Sequence, residues 1–400
     1  MISFFNPVSH IFTGPGAISN IASHLEEKGF HKPLIVTDKI IAQFPFFKKF
    51  TASMFSAVIY DKTQANPPDT QINEGAEIYK RERCDCLIGV GGGSPIDCAK
   101  AVGVLVSNGG KISDYTISGS IKRPIPYLVA IPTTAGSGSE CTSAAIITNT
   151  QGHHSKMAIM SPNLTPSASF VDPEIMLGLP PALTASTGLD ALSHAIEAYL
   201  AKNANEYTDG LAFNAIRLIF KYLPRVVANG GDLKAREKMS YAQSMAGLAF
   251  NCAGLGLVHA MSHPLSATYG IAHGSANAIL LPWVMEFNAI ARYDKLIEIA
   301  EAAGENRWNL PKRDAAALAA KSIRTLSSDL GVIPNISEAV SALGKYADFE
   351  KDIDSLVNDA MNDVFKNDNP RNVSPADIRS IYASCWSSST IDLIKKLKNG

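Results

Sequence analysis

Five ionisable side chains at regular spacings offer the clearest chemistry in this sequence. Asp190 and His194 are four residues apart in "GLDALSHAIEAY". His259 and His263 are also four apart in "GLVHAMSHPLSATYGIAHGSANA", and His273 follows ten residues later. Residues four apart lie side by side on one face of a helix. A carboxylate together with several imidazoles suits Fe(II) or Zn(II) and not Ca(II), so the pattern predicts a divalent metal centre.

The competing explanation is structural, because a single buried histidine usually only makes a hydrogen bond. The windows around these five residues are mostly apolar, and burial of each group without a partner would be costly. A shared metal accounts for all of them together. Pro264 cannot donate to the carbonyl of Ala260, so we expect the helix to kink or end there. That break argues against one common role for His259 and His263.

A second chemical feature is the glycine-rich run in "CLIGVGGGSPIDCAK", Cys86 to Lys100. An apolar segment leads into the glycines, and a helical pattern follows them, which is typical of a phosphate-binding turn. The G-x-G-x-x-G pattern read from Gly89 has Ser94 in place of its third glycine. From the residues alone, the run could be a cofactor site or only a tight turn between a strand and a helix.

The elements that must position these groups change character along the chain. The first half alternates short apolar runs with amphipathic segments, which predicts a parallel sheet with helices on both faces. The predicted strands are Pro33–Asp38, Ser56–Asp61, Cys86–Gly92 and Tyr127–Thr134, and helical patterns cover Thr70–Arg83 and Pro95–Asn108. Beyond Pro180 nearly every segment is helical and rich in Ala and Leu. We therefore predict an α/β dinucleotide-binding domain over 1–180 and an all-α metal-binding domain over 181–400.

Composition excludes several classes of function. The formal net charge is −1, so no global basic field attracts nucleic acid or an anionic membrane. No run of apolar residues is long enough for a transmembrane helix, and the first residues lack the basic and small-residue signals of a leader peptide. The six cysteines are scattered without a CxxC pair, which indicates reduced thiols and a cytoplasmic protein.

Four blocks of sequence closely resemble the iron-containing (group III) alcohol dehydrogenases, and the likeness runs from about residue 5 to 386. The blocks are "GGGSPIDCAKAVG", "AIPTTAGSGSECT", "FVDPEIMLGLPPALTASTGLDALSHAIEAY" and "GLVHAMSHPLSATYGIAHGSANAILLPWVMEFN". The resemblance implies the dehydroquinate synthase-like fold, with an α/β N-terminal domain and an all-α C-terminal domain. It also implies that the protein is an alcohol dehydrogenase.

The resemblance assigns roles that the spacing alone leaves open. The family's metal ligands fall on Asp190, His194, His259 and His273. His263 then becomes a histidine beside the metal that moves the proton. Phe250 is expected to line the substrate pocket.

On the cofactor side, the family's ribose-binding acidic residue falls on Asp38. Asp38 precedes the glycine-rich run, whereas in the ordinary dinucleotide fold this carboxylate follows the loop by about 20 residues. The resemblance therefore implies a nucleotide cradle in a different strand order. A carboxylate there accepts hydrogen bonds from the ribose hydroxyls and repels a 2′-phosphate, so the resemblance implies NAD rather than NADP. From the residues alone, Asp38 could equally cap a helix or turn. The remaining cofactor contacts implied by the family are Asn66, Gly92, Gly93, Ser94, Thr133, Thr134, Ser137 and Lys156.

The function implied is reversible, metal-dependent oxidation of a primary alcohol or diol to its aldehyde with NAD, in a homodimer or larger homo-oligomer. Fe(II) is the expected metal, with Zn(II) as an alternative. A second interpretation is a polyol, hydroxyacid or glycerol-phosphate dehydrogenase on the same scaffold. A third, from another class, is a metal- and nucleotide-binding protein without turnover.

Overall fold

The computed structural model describes residues 5, 7–116, 121–150 and 156–387. The chain divides into two compact units, one covering Phe5–Gly178 and the other beginning at Leu179. The domain bounds 1–180 and 181–400 stay a proposal. Each unit is described by itself below.

The first unit is built on a parallel sheet of six strands in the order β1-β8-β5-β4-β2-β3. A separate antiparallel hairpin pairs β6 with β7. The strands are β1 (Ile11–Thr13), β2 (Pro33–Val36), β3 (Val58–Tyr60), β4 (Cys86–Gly91), β5 (Leu128–Pro132), β6 (Ala144–Thr148), β7 (Lys156–Met160) and β8 (Ala168–Val171). The helices are α1 (Ile21–Glu27), α2 (Pro45–Ala52), α3 (Asp69–Arg81) and α4 (Gly93–Asn108).

The central strands are apolar throughout because both faces of the sheet are covered. In β2, Leu34 and Val36 belong to one hydrophobic core while Ile35 belongs to another. In β4, Leu87 and Ile88 divide between the same two cores. Successive side chains of a strand point to opposite faces, so a run without polar residues is what two-sided burial requires.

The second unit is helical. Its helices are α5 (Pro181–Leu200), α6 (Glu206–Ala228), α7 (Leu233–Ala253), α8 (Leu257–Tyr269), α9 (His273–Ala302), α10 (Lys312–Asp329), α11 (Ile336–Ala342), α12 (Phe349–Asn362) and α13 (Pro375–Trp386). Every residue of α5 from Gly188 to Leu200 is buried, and this helix packs against α6, α7 and α9. A helix buried on all sides encloses whatever polar groups it carries. The predicted fold class, a parallel α/β unit followed by a helical one, is confirmed.

Pro264 does not end α8, which continues to Tyr269. Of the two expected outcomes at Pro264, a kink or an end of the helix, the end is therefore wrong. Next to the proline, the Tyr382 hydroxyl donates to the Met261 carbonyl at 2.7 Å and the Ser262 hydroxyl to the His259 carbonyl at 3.2 Å.

Within the described residues, no single helix has the length and apolar character of a membrane span. By length and composition only, α7 and α8 pass that test as a pair, but they are bent by 107° where they join.

Candidate functional site

Three helices of the second unit bring the predicted ligands together. Asp190 and His194 lie one turn apart on α5, and His259 lies in the first turn of α8. His273 is the first residue of α9. Ligands that lie on well-packed helices hold their spacing without help from a loop.

The donor atoms converge on Asp190. Its Oδ1 atom lies 3.6 Å from His273 Nε2 and 3.8 Å from His259 Nε2, and the ligand atoms of these three residues all lie within 4.8 Å of one another. The distance from Asp190 Oδ1 to His194 Nε2 is 3.9 Å. Ligand atoms about 2.0–2.2 Å from a tetrahedral metal stand roughly 3.3–3.6 Å apart. The Asp190–His273 distance lies within that range, and the distances to His259 and His194 are slightly longer. The donor set therefore suits a divalent cation around which these side chains close slightly.

Asn277, which sequence reasoning missed, lies against the same atoms. Its Nδ2 is 2.8 Å from Asp190 Oδ1 and 3.3 Å from the Nε2 atoms of His259 and His273. Its Oδ1 is buried and has no hydrogen-bond partner among the described residues. The amide nitrogen of Asn277 therefore faces the same three atoms that are candidates to ligate a cation.

Aromatic rings border the cluster. His194 stacks on Phe250 with ring centroids 4.4 Å apart, and on its other neighbour His259 at 4.6 Å. Phe365, which no motif in the sequence singled out, lies 5.7 Å from His263 and 6.4 Å from His259. Phe250 and Phe365 thus give the surroundings of the histidines an apolar character. A role for Phe250 in lining the substrate pocket stays a prediction.

His263 is not one of the three residues whose ligand atoms converge, and its Nδ1 contacts a carboxylate. Its Nδ1 is 2.7 Å from Asp363 Oδ2, and its ring stacks on His273 at 5.2 Å. Burial alone would raise the pKa of Asp363, but the hydrogen bond from His263 and its charge hold that pKa below the ordinary value. Asp363 lies 100 residues further along the chain, so no local spacing could have linked it to His263.

A second buried carboxylate, Glu197, contacts His259. Its Oε2 lies 2.5 Å from His259 Nδ1. Burial raises the pKa of Glu197 to about 8, although hydrogen bonds from backbone N–H groups at the start of α8 act to lower that pKa. Burial and the neighbouring His194 and His273 lower the pKa of His259 well below its usual value, which keeps the ring neutral. A neutral imidazole is the form that ligates a metal.

In the first unit, the glycine-rich turn leads from β4 into α4. Gly91 has φ +152°, and a Cβ there would lie 2.5 Å from Pro95 Cγ, so this position needs glycine. The helix begins at Gly93, and its N-cap, Gly92, supplies no side-chain cap. The first N–H groups of α4 therefore have no partner within the helix and favour an anion such as a pyrophosphate.

Asp38 lies just beyond β2, which is the neighbour of β4 in the sheet. Its Oδ1 accepts hydrogen bonds from the backbone N–H groups of Ile40 and Ile41, both at 2.8 Å. The carboxylate therefore does cap a turn, and that turn fixes it at one wall of a pocket of about 590 Å³. The pocket is lined by Asp38, Lys39, Ile40, Lys62, Thr63, Gln64, Ala65, Gln71, Gly92, Gly93, Ser94 and Pro95.

The other predicted cofactor residues are distributed around the same turn. The Asn66 N–H lies 3.3 Å from Ser94 Oγ, with Asn66 in the left-handed region at φ 55°. The Thr133 N–H donates to the Gly91 carbonyl at 2.9 Å. A Cβ on Gly92 would lie 3.5 Å from Thr134 Oγ1, and one on Gly93 would lie 3.1 Å from Ser137 Cβ. Lys156 begins β7 opposite Thr148 and does not line the pocket.

Lys100 ties the helix α4 to the loop after β5, a link that the sequence did not reveal. It is fully buried, and its Nζ donates to the carbonyls of Ser139 at 2.6 Å and of Thr142 and Ala144 at 2.8 Å each. Burial lowers the pKa of Lys100 to about 8. One turn earlier, Asp97 accepts from the Ser139 hydroxyl at 2.5 Å, so both residues hold the loop that carries Thr133 and its neighbours.

Comparison with known proteins agrees with this arrangement. The family model described as "Iron-containing alcohol dehydrogenase" matches residues 8–173, and the one described as "Fe-containing alcohol dehydrogenase family, C-terminal" matches residues 184–386. The NAD-dependent methanol dehydrogenase of Bacillus methanolicus is 42% identical over 385 residues, which cover 95% of this chain and 99% of that protein.

Solved structures show the same likeness. A 1,3-propanediol oxidoreductase matches with a TM-score of 0.93 at 39% identity, over 96% of this chain and 100% of that one. The sulfoacetaldehyde reductase of Bifidobacterium kashiwanohense, in complex with NAD+, matches with a TM-score of 0.86 at 30% identity, over 97% and 100% of the two chains. Together, the family matches and the near-complete coverage establish that the chain belongs to the iron-containing alcohol dehydrogenase family.

Proposed function

We propose that this protein catalyses the reversible, NAD-linked oxidation of a primary alcohol or diol to its aldehyde at a divalent metal. The observation that carries the proposal is the convergence of Asp190, His259 and His273, whose ligand atoms lie within 4.8 Å of one another inside a buried helical core. His194 completes the proposed ligand set from the same helix as Asp190. The family's relatives named for methanol and 1,3-propanediol support this reaction class.

Asp190, His194, His259 and His273 would hold the cation through one carboxylate oxygen and three imidazole nitrogens. When bound, a divalent cation supplies Lewis-acid polarisation of the substrate oxygen, and NAD supplies the hydride acceptor. Fe(II) is the proposed metal, and the donor set also accommodates Zn(II).

His263 is the proposed proton carrier. An ionised carboxylate only accepts hydrogen bonds, so Asp363 places the ring proton on Nδ1 and leaves a lone pair on Nε2. That lone pair suits His263 to take up the alcohol proton in oxidation and to return it in reduction. Asp363 thereby orients the base in the way a carboxylate orients the histidine of a catalytic triad.

On the cofactor side, we propose that the N-terminus of α4 binds the pyrophosphate and that Asp38 binds the adenosine ribose. Asp38 Oδ1 is committed to two backbone donors, which fixes the side chain, and its second oxygen remains for a ribose hydroxyl. These features favour NAD over NADP.

A homo-oligomeric assembly and a cytoplasmic location stay part of the proposal. So does the assignment of Asn66, Thr133, Thr134, Ser137 and Lys156 as cofactor contacts.

The test is anaerobic purification with metal analysis, followed by a panel of alcohols and aldehydes assayed by NADH absorbance with NAD and with NADP. Chelation should abolish turnover, and Fe(II) should restore it. Turnover restricted to polyols, hydroxyacids or glycerol phosphate would support the second interpretation. NAD binding without turnover on any substrate would refute the proposed reaction.

A further inference from the structure

Glu197 is a buried carboxylate for which the proposed reaction has no use. It lies on α5, three residues after His194 and seven after Asp190, and these spacings place all three on one face of the helix. Its exposed fraction is 5%. A carboxylate at this depth is costly unless its charge and its oxygens are compensated.

The compensation comes from the first turn of α8. Glu197 Oε1 accepts the Val258 N–H at 2.6 Å, and Oε2 accepts the His259 N–H at 3.3 Å. The N-cap residue of α8, Gly256, has no side chain to cap these groups, so Glu197 does so from a neighbouring helix. The first turn of α8 is thereby fixed to α5, the helix that carries Asp190.

The same carboxylate also holds the imidazole of His259. Glu197 Oε2 lies 2.5 Å from His259 Nδ1, while His259 Nε2 faces Asp190 Oδ1 at 3.8 Å. With the ring proton on Nδ1, the lone pair of Nε2 is directed at the cluster of candidate ligands. Three hydrogen bonds from one turn thus fix the position and the rotation of a single imidazole.

The surroundings of Glu197 leave it little freedom. A Cβ on Gly256 would lie 2.8 Å from Glu197 Oε1, so a larger residue there would displace the carboxylate from its present position. Beside it, Asn369 Oδ1 accepts the Leu257 N–H at 3.4 Å and the Asn288 amide at 2.8 Å. Among the described residues, the one ion-pair partner of Glu197 is His259. The Glu197 side chain is therefore held mainly by its hydrogen bonds to the first turn of α8 and to the His259 ring.

We propose that Glu197 is a positioning residue of the metal centre, which holds His259 in the rotation and tautomer that leave Nε2 for the metal. This inference rests on the metal centre proposed above. Carboxylates that bind the second nitrogen of a metal-ligating histidine typically contribute about 10–100-fold to metal affinity.

The test compares Glu197→Gln with Glu298→Gln. Glu298 lies on α9 and accepts from the Tyr199 hydroxyl of α5, so its substitution removes a carboxylate that joins two helices of the same unit outside the ligand cluster. Metal-free protein is titrated with Co(II) in competition with a chromophoric chelator. We expect about 10–100-fold weaker Co(II) binding in Glu197→Gln and wild-type binding in Glu298→Gln.

Thermal unfolding separates positioning from a merely structural role. A structural glutamate would lower the Tm of the metal-free and the Co(II)-loaded protein equally. A positioning glutamate reduces the gain in Tm that Co(II) provides, because weaker binding stabilises the fold less. Wild-type Co(II) affinity together with a wild-type gain in Tm would overturn the inference.

Two further variants keep the outcome unambiguous. If Glu197→Gln does not fold, Glu197→Asp retains the charge but draws it back by about 1.5 Å, one carbon–carbon bond. We expect it to bind Co(II) with an affinity between those of the wild type and a protein lacking the contact, and wild-type affinity would refute the role. His259→Ala tests the metal centre itself: unchanged Co(II) binding there refutes the centre. Loss of binding there, with wild-type binding in Glu197→Gln, refutes only the role of Glu197.

Discussion

A methyl group at Gly274 should separate two of the helices that carry the proposed metal ligands. Gly274 follows His273 at the start of α9 and faces the backbone of Ser186 on α5. A Cβ at this position would lie 2.0 Å from the Ser186 carbonyl oxygen and 2.7 Å from its carbonyl carbon. Backbone atoms cannot rotate aside as a side chain can, so Gly274→Ala must move one helix relative to the other.

The size of the displacement follows from that contact. A methyl carbon and a carbonyl oxygen must stand at least about 3 Å apart, so α9 has to retreat from α5 by about 1 Å at this point. Metal–ligand distances tolerate only about 0.2 Å of error. His273 is the adjacent residue, and Asp190 lies one turn beyond Ser186, so their 3.6 Å contact should open and the metal should lose a ligand.

We expect Gly274→Ala to bind Co(II) at least about 10-fold more weakly than the wild type. Overpacking of this kind costs about 1–3 kcal/mol of unfolding free energy, or a fall in Tm of about 2–12 °C for a unit of this size. Affinity is measured by chelator competition, and Tm by calorimetry of the metal-free protein.

The matched control is Gly210→Ala on α6. No atom lies within 4 Å of a Cβ built there, and Gly210 is exposed in a helix interior. Alanine should therefore leave Co(II) binding unchanged and stabilise the protein by up to about 1 kcal/mol. Full metal affinity in Gly274→Ala would show that the close approach of α5 and α9 does not set the ligand geometry, and the reasoning would fail.

The remaining predictions concern single side chains. Asp38→Gly removes the charge that repels a 2′-phosphate, so kcat/KM for NADP should rise relative to that for NAD, and an unchanged ratio would contradict the role of Asp38. His263→Ala should lower kcat while metal analysis still finds full metal occupancy. His194→Ala should lose the metal, and full metal occupancy in that variant would refute the assignment of His194 as a ligand. Asp363→Asn cannot hold the proton on His263 Nδ1 as a carboxylate does, so kcat should fall with little change in KM, and a wild-type kcat would exclude the pair from proton transfer.

Much of the first unit could be predicted from local pattern. The apolar runs at β2, β4 and β5 are strands because only two-sided burial tolerates so few polar residues. The run at β3 is also a strand, although Ile59 is exposed at this edge of the sheet. The short edge strand β1, the hairpin of β6 and β7, and strand β8 were not predicted. The burial of β6 alternates, and three residues make too short a run for β1 to be distinguished from a loop.

The candidate site divides in a similar way. Asp190 and His194 could be paired from their spacing, since a helix fixes what lies four residues away. Glu197 carried a weak signal, because it occupies the same face seven residues after Asp190, but nothing local indicated that α8 begins opposite it. Asn277 lies four residues after His273, so it carried the same kind of local signal as Asp190 and His194. Asp363 and Lys100 carried no signal, because their partners lie far away in sequence.

The sequence by itself determined the residue types able to hold a metal and a nucleotide, the change from strands to helices, and, through its resemblance, the family. Tertiary structure decided which histidines converge and which one turns towards Asp363, because that choice depends on where separate helices meet. The tertiary structure also explains how Asp38 can lie near a glycine-rich turn that comes much later in the chain. Strand β2 lies directly beside β4, so residues at the ends of both strands share one edge of the sheet whatever their order in sequence.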